Sequence, residues 1–354
     1  MVKKGMPVAG EGASCGPNVP NLRMPDRDAK MREVYAELTG KHGADAVIRL
    51  NDKAAAHTHE VCPSGLLHLD KALGGGWPYG RFVEAYGPQG GGKTTLCLQA
   101  IAACQREGGI AAFLDVEQAY DRAYATALGV DQDAIFIQQP DYGEQVFEVM
   151  ATLVANGVRV IVVDSVAALV PKVELDGEIT DQQVGLQARM MGKALRMLAS
   201  PVAKAKTLVM FINQLRMKIG MQWGSPESTP GGEALKYWAS VRVDVRPIGK
   251  IKSGEDIVGH TVALKVVKNK LAPPFQKVEA SLVFGKGFWR AGDVLDLAVR
   301  YGHVEKSGAW FSHANERLGQ GRENTAARLE TMPELLDKLE AAVRVSMYAP
   351  TQVA

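Results

Sequence analysis

A chain of 354 residues with 41 Lys and Arg against 39 Asp and Glu has a net charge of +2, so bulk electrostatics point to no polyanionic partner and any nucleic-acid contact must come from local features. With 46% hydrophobic and 23% charged residues it has the composition of an ordinary globular protein, long enough for one main domain with smaller additions. No apolar stretch is long enough to cross a bilayer, the segment around Val160–Val170 being interrupted by Arg159 and Asp164, and no apolar block follows the N-terminal lysines, so a cytoplasmic location is the default expectation.

Residues 1–24 are rich in Gly, Pro, Asn and Ser without apolar periodicity and read as a flexible arm. Pro25-Asp26 opens a helix whose apolar positions Met31, Val34, Tyr35 and Leu38 recur at helical spacing until Gly40. So short an amphipathic helix cannot fold alone and is expected to pack on another surface. With a possible strand at Ala46–Ile48 it makes an N-terminal element over 25–55. From 56 to 289 short apolar strands alternate with helices: strands at Phe82–Tyr86, Ile110–Leu114, Val158–Val163 and Leu208–Ile212, and a helix at Thr94–Gln105. That pattern is α/β, with a mostly parallel sheet covered on both faces. Val241–Val245, Thr261–Val267 and Ala280–Phe284 follow at close spacing and predict an antiparallel extension of the same sheet. Residues 290–345 read as a small α+β domain, helical at Val294–Val299 and Pro333–Val345 with a hairpin at Trp310-Phe311, and 346–354 as a tail.

Four cysteines, Cys15, Cys62, Cys97 and Cys104, are too few and scattered for a disulfide framework, and Cys97 and Cys104 read as core thiols of one helix. His57, His59 and Cys62 lack the fourth ligand of a structural zinc site.

Gly87-Pro88-Gln89-Gly90-Gly91-Gly92-Lys93-Thr94 has the Walker A form and lies between an expected strand and an expected helix, the context the motif requires. Its glycines let successive N–H groups point at phosphate oxygens, and the helix N-terminus adds positive potential. Lys93 is expected to reach the β- and γ-phosphates and Thr94 to ligate Mg²⁺. Val158 to Asp164 is an apolar strand ending in a carboxylate, the Walker B form, with Asp164 in the Mg²⁺ shell. Hydrolysis also needs a group that activates water; Asp115 and Glu117, just past another strand, compete for that task.

Read with their neighbours, these motifs resemble the bacterial RecA recombinases. Tyr86-Gly87-Pro88, Lys93-Thr94-Thr95-Leu96 and Val163-Asp164-Ser165-Val166-Ala167-Ala168-Leu169 carry the likeness, and so do the run Phe211 to Gly220 and Lys265-Val266-Val267-Lys268-Asn269-Lys270. It extends from about Asp28 to about Val345. The resemblance implies a single-stranded-DNA-dependent ATPase that polymerises into a helical filament, pairs homologous DNA, exchanges strands and stimulates self-cleavage of LexA-type repressors. Glu117 then matches the family's catalytic glutamate, Asp121 and Tyr124 its adenine contacts, and Gln214 its γ-phosphate sensor. Lys268 and Lys270 match lysines that reach the neighbouring protomer's ATP, and Lys236, Tyr237 and Arg242 match a cluster at that protomer interface.

Two DNA loops are implied, one at about 175–185 with Arg189 and Arg196 on the helix after it, the other at about 215–232. The second holds Arg216, Met217, Lys218, Ile219, Gly220 and Trp223 and closes with Gly231 and Gly232. The first is acidic, with Glu174, Asp176, Glu178 and Asp181, so backbone donors rather than bulk charge would grip single-stranded DNA. The C-terminal domain would gather double-stranded DNA through Lys306 and Arg322. The chain departs from the family at Gln89-Gly90-Gly91, Arg122, Gln222, Trp223 and Pro230. Its last residues, 345–354, carry no acid where the family often has an acidic tail, so duplex entry is expected to be less inhibited. A ring-forming helicase or clock-type ATPase of the same fold would lack this combination of second loop, paired lysines and docking helix.

Overall fold

The computed structural model describes residues 27–43, 47, 59–178, 185–217 and 227–349. The arm, most of the strand expected at 46–48, and the inner parts of both expected DNA loops, with Lys218, Ile219, Gly220 and Trp223, lie outside the described residues. The chain divides into two units, 1–58 and 59–354. In the first, α1 (Arg27–His42) runs two residues past Gly40, is braced by Lys30–Glu33 (2.9 Å) and Lys41–Glu37 (2.6 Å), and leaves Met31 and Val34 exposed.

The second unit is built on nine strands: β1 (Phe82–Gly87), β2 (Ala111–Asp115), β3 (Ile135–Gln138), β4 (Val160–Asp164), β5 (Leu208–Gln214), β6 (Val241–Ser253), β7 (Asp256–Asn269), β8 (Lys277–Val283) and β9 (Gly287–Phe288). Their spatial order is β9-β8-β7-β6-β1-β5-β4-β2-β3. Neighbours from β6 to β3 run parallel and those from β6 to β9 antiparallel, the mixed sheet the sequence predicts. Helices cover it: α2 (Leu67–Leu73), α3 (Lys93–Arg106), α4 (Arg122–Ala127), α5 (Gly143–Ala155), α6 (Leu186–Ala205) and α7 (Ala234–Trp238). Alternation along β4 explains the two layers, since Val160 and Val162 pack with α3 residues Leu96 and Ile101 while Ile161 and Val163 pack with Phe147, Met150 and Leu195 of α5 and α6. Each such side chain contributes about 1.5–3 kcal/mol on burial. Cys62, Cys97 and Cys104 are all buried, Cys97 and Cys104 on α3.

Two features differ from expectation. β3 is an additional edge strand, only four residues long, with Phe136 and Ile137 exposed, so it lacks the in–out alternation that marks a strand. The β6–β7 pair continues well past Val245, although Pro247 and Gly249 look like breakers. β6 pairs with β1 only through Asp244, so Pro247 stands on a free edge where its missing N–H removes no ladder bond.

A separate core forms around Leu295, Leu297, Phe311, Leu318, Leu329 and Leu339. It is enclosed by α8 (Arg290–Arg300), an antiparallel sheet of β10 (Glu305–Ser307), β11 (Trp310–His313) and β12 (Glu316–Gln320), α9 (Arg322–Glu330) and α10 (Pro333–Tyr348). α10 ends three residues beyond Val345. Asp293 of α8 joins the two cores: its carboxylate accepts from Leu67 N (2.6 Å), His68 N (3.3 Å) and His68 Nδ1 (2.7 Å), capping α2, whose own N-cap residue Leu66 offers no acceptor. No helix among the described residues is long and apolar enough to cross a membrane.

Candidate nucleotide site and nucleic-acid face

β1 ends at Gly87 and α3 begins at Lys93, so the expected phosphate loop spans the C-terminal edge of the sheet. Gly87 is obligatory for space: a Cβ there would stand 2.1 Å from the Val245 carbonyl oxygen. Gly92 caps α3 at φ 90° and supplies no side-chain acceptor, so the first N–H groups of the helix face the loop uncapped. Lys93 is buried, and its ammonium donates to the Gly87 (3.1 Å) and Pro88 (2.7 Å) carbonyls. Burial pulls its pKa down, opposed by Asp164 and Glu117. Thr94 Oγ1 donates to Asp164 Oδ2 at 2.8 Å. Burial lifts the Asp164 pKa to about 6, the Thr94 hydrogen bond opposing it and the Glu117 charge adding to it. A half-buried, partly desolvated carboxylate beside a hydroxyl is a hard-oxygen pair that a divalent cation would neutralise. No cluster of three His, Cys, Asp or Glu suited to a metal exists among the described residues.

The two competing acids have different surroundings. Asp115 is buried and accepts from Ala119 N (2.9 Å), Tyr120 N (3.2 Å) and Gln139 Nε2 (3.0 Å), so its carboxylate is spent on shaping the turn after β2. Glu117 is exposed on that turn; Ser165 Oγ donates to its Oε1, and so does Gln214 Nε2 at 2.9 Å. β1, β5, β4 and β2 thus bring Lys93, Gln214, Asp164 and Glu117 to one sheet edge from four separate stretches of chain.

A cavity of about 320 Å³ lies beside the loop, lined by Gly90 to Thr95, Tyr124 and residues 282–285. Tyr124 OH and Thr95 Oγ1 share a hydrogen bond of 2.8 Å, and Asp121 caps α4 by accepting from Tyr124 N (2.9 Å). Sequence reasoning missed Phe284 and Gly285 on the far wall, which only the antiparallel extension brings there.

Lys268 and Lys270 are not near this loop. Lys268 pairs with Arg242, which pairs with Glu84, three residues before Gly87, and its ammonium donates to the Lys236 (2.6 Å) and Tyr237 (3.0 Å) carbonyls. Lys236 also bonds Glu233 (2.5 Å), and Tyr237 is 72% exposed. Arg189, Arg196, Arg216 and Met217 are exposed, and Arg216-Met217 pairs with Glu227-Ser228 at the base of the second loop. Gly231 and Gly232, at φ 84° and 73°, let that loop close on Val166 and Ala188, where a Cβ would come within 2.8 and 2.7 Å. Arg322 is engaged by Asp296 (2.8–3.1 Å).

A second cavity, of about 630 Å³, lies elsewhere, beside the base of the second loop, and Lys236, Arg242, Arg246, Lys265 and Lys277 line it. Arg246 is clamped between Glu227 (2.5 and 2.9 Å) and Asp244 (2.9 Å). Of these cations the sequence reading identified Lys236 and Arg242 alone, because Arg246, Lys265 and Lys277 converge only through the β6–β7–β8 register.

A glycine loop between a parallel strand and a helix, with its lysine, its threonine–aspartate pair and a glutamate on the next strand's turn, defines a P-loop nucleotide-binding protein of the α/β class. Family models describe which one: the RecA N-terminal domain matches residues 29–289 and the RecA C-terminal domain residues 292–348. The chain is 51% identical over 321 residues to Protein RecA of Rhodopseudomonas palustris, covering 90% of this chain and 92% of that one. To Protein RecA of Syntrophobacter fumaroxidans it is 53% identical, covering 90% and 94%. This chain belongs to the RecA family. It is a DNA recombinase and single-stranded-DNA-dependent ATPase that acts in homologous recombination, DNA repair and the SOS response.

Proposed function

We propose that the nucleotide is ATP with Mg²⁺, bound by Gly87 to Thr95 with its base in the cavity between Tyr124 and Phe284. The observation that carries this is the convergence of Lys93, the Thr94–Asp164 pair and the Glu117–Gln214 pair at one sheet edge. When bound at Thr94 and Asp164, Mg²⁺ would neutralise charge developing on the phosphates. Lys93 exchanges its two carbonyl partners for phosphate oxygens, which offsets the burial that depresses its pKa. Glu117 accepts a proton from the attacking water, held in place by Ser165 and Gln214. Gln214 stands between that carboxylate and the second loop, which begins one residue later, so a change at the γ-phosphate is passed to the DNA-binding segment.

The remaining assignments concern assembly. Lys268 and Lys270 lie away from this protomer's own phosphate loop, which favours a role toward a neighbouring protomer's ATP, where cations stabilise transition-state charge in trans. Lys236, Tyr237 and Arg242 line the same surface, and the exposed Met31 and Val34 of α1 give the N-terminal helix an apolar stripe to dock on that neighbour. The domain organisation follows: 25–55 for oligomerisation, 56–289 for catalysis and DNA, 290–345 for gathering duplex. The filament is the scaffold on which a LexA-type repressor cleaves itself, in the cytoplasm.

Phosphate release with and without single-stranded DNA, with Lys93→Ala as control, tests the site. A large DNA-dependent rise that the control lacks supports it. An equal rise in the control sinks it.

A further inference from the structure

We propose that Glu84 is a positioning residue for DNA-stimulated ATP hydrolysis, the buried anion through which the second loop, Gln214 and the interface cation Arg242 hold one another in place. The proposal rests on the reading of Gln214 and Glu117 above and adds a residue that touches neither nucleotide nor DNA.

Glu84 lies in the middle of β1 and is wholly buried, an unusual place for a carboxylate. Its two oxygens serve different partners: Oε1 accepts from Asn213 Nδ2 (2.9 Å) on β5, and Oε2 from Arg242 Nε (2.5 Å) on β6. Each partner leads to a functional element. Asn213 Nδ2 also donates to the Pro230 carbonyl (3.1 Å), which closes the second loop, while Asn213 Oδ1 accepts from Gln214 N (3.0 Å). Gln214 in turn donates to Glu117. On the other side Arg242 lies over the Tyr86 ring (4.7 Å), next to the phosphate loop, and opposite Lys268 in the β6–β7 register.

A buried carboxylate is tolerated only while its donors compensate the lost hydration, and removing one partner leaves a costly charge behind. Asn213 and Arg242 therefore cannot move independently. If DNA reorders the second loop, the shift at Pro230 is felt by Asn213, and Glu84 relays it to Arg242. If a neighbouring protomer draws on Arg242, the same path runs back to Gln214. A salt bridge that merely fastened β1 to β6 would need no second oxygen bonded to Asn213, the residue that meets both Gln214 and Pro230.

The test uses full-length protein and four chains: wild type, Glu84→Gln, Asn213→Asp and the double variant. Melting temperature, nucleotide KM, and kcat with and without single-stranded DNA are read for each. Glu84→Gln sets an amide against Arg242, and Asn213→Asp sets a second carboxylate against Glu84. Together they restore the bond with donor and acceptor exchanged and the charge unchanged. Expected for each single variant is basal turnover and KM within about twofold of wild type, with the DNA-stimulated kcat down about tenfold or more. The double variant regains the bond between positions 84 and 213 but not the donor to Pro230, so its DNA-stimulated kcat recovers in part, to at least about threefold above either single variant. Wild-type stimulation in a folded Glu84→Gln variant overturns the proposal, as does failure of a folded double variant to recover. Should a single variant not fold, the double variant still decides. A wild-type protein without DNA stimulation would instead overturn the reading of the site itself.

Discussion

Replacing Glu117 by Gln isolates proton transfer from everything else the residue does. Both hydrogen bonds that the described residues give this side chain go to Oε1, from Ser165 Oγ and Gln214 Nε2. A glutamine keeps that acceptor, so its carbonyl can take both donors and its amide replaces Oε2, the oxygen that would face water. The side chain is exposed, so losing the charge costs stability little. Each bond falls from charge-assisted to neutral, a difference of about 1 kcal/mol before solvent screening. The expected shift in melting temperature is no more than about 4 °C.

Turnover behaves differently. An amide cannot accept the proton, and a positioned general base contributes about 10²- to 10⁴-fold, equivalent to about 2.7–5.4 kcal/mol of barrier. Single-stranded-DNA-stimulated phosphate release by Glu117→Gln is thus expected to fall at least about a hundredfold, with nucleotide KM within about threefold. The nucleotide-bound filament should still form and still stimulate self-cleavage of a LexA-type repressor, since neither needs the proton removed. A loss of turnover below about tenfold at unchanged KM would refute the assignment and return Asp115 to consideration.

Other outcomes follow from the same geometry. Thr94→Val keeps the shape but removes the hydroxyl bonded to Asp164, so the Mg²⁺ concentration for half-maximal turnover should rise about tenfold; an unchanged Mg²⁺ titration would count against the pair as metal ligands. Asp121→Ala deletes the acceptor that caps α4 and is expected to cost about 1 kcal/mol and to weaken nucleotide binding through Tyr124, read by thermal melting and by nucleotide titration. Burial pushes the Cys62 thiol up to about 12 and raises Cys97 and Cys104 as well, so native protein at pH 8 should show no alkylation at these three positions by peptide mass mapping, and denatured protein should show it at all three.

What the sequence made legible was whatever lies contiguous in the chain. The phosphate loop declares itself because eight consecutive residues carry the whole pattern between a strand and a helix. Asp164 is legible for a similar reason, an acid ending an apolar strand. Glu117 against Asp115 was not decidable from chemistry alone, because both follow the same strand and only the turn shows which carboxylate is consumed internally. Glu84, Arg246, Lys277 and Phe284 carried no local signal, and Lys265 none beyond its place in a family motif: their neighbours are set by the register of β1 with β5 and β6, and of β7 with β6 and β8. A Glu inside an apolar strand reads as a polar interruption until the partners on the adjoining strands are known. β3 escaped notice because an exposed edge strand needs no alternation.

The near-zero net charge is reconciled with a polyanionic partner by how the cations are held. Around the 630 Å³ cavity, Arg246 is bound by Glu227 and Asp244, Arg242 by Glu84, Lys236 by Glu233 and Lys277 by Glu279. Pairs of this kind, where exposed, are worth little, so a phosphate that displaces the carboxylate from such a cation gives up little free energy. Counting charges over the chain therefore says nothing about whether nucleic acid can bind here. Glu227 is the informative partner, since it stands at the outgoing end of the second loop, while Arg246 and Asp244 are fixed in β6. Glu227→Gln should leave Arg246 more available without moving it. The plot of log affinity for single-stranded DNA against log salt should then steepen by about 0.7, the increment for one further phosphate contact. Identical slopes for the two proteins would show that Arg246 stays with its carboxylates when DNA is bound, and would remove this cavity from the nucleic-acid face.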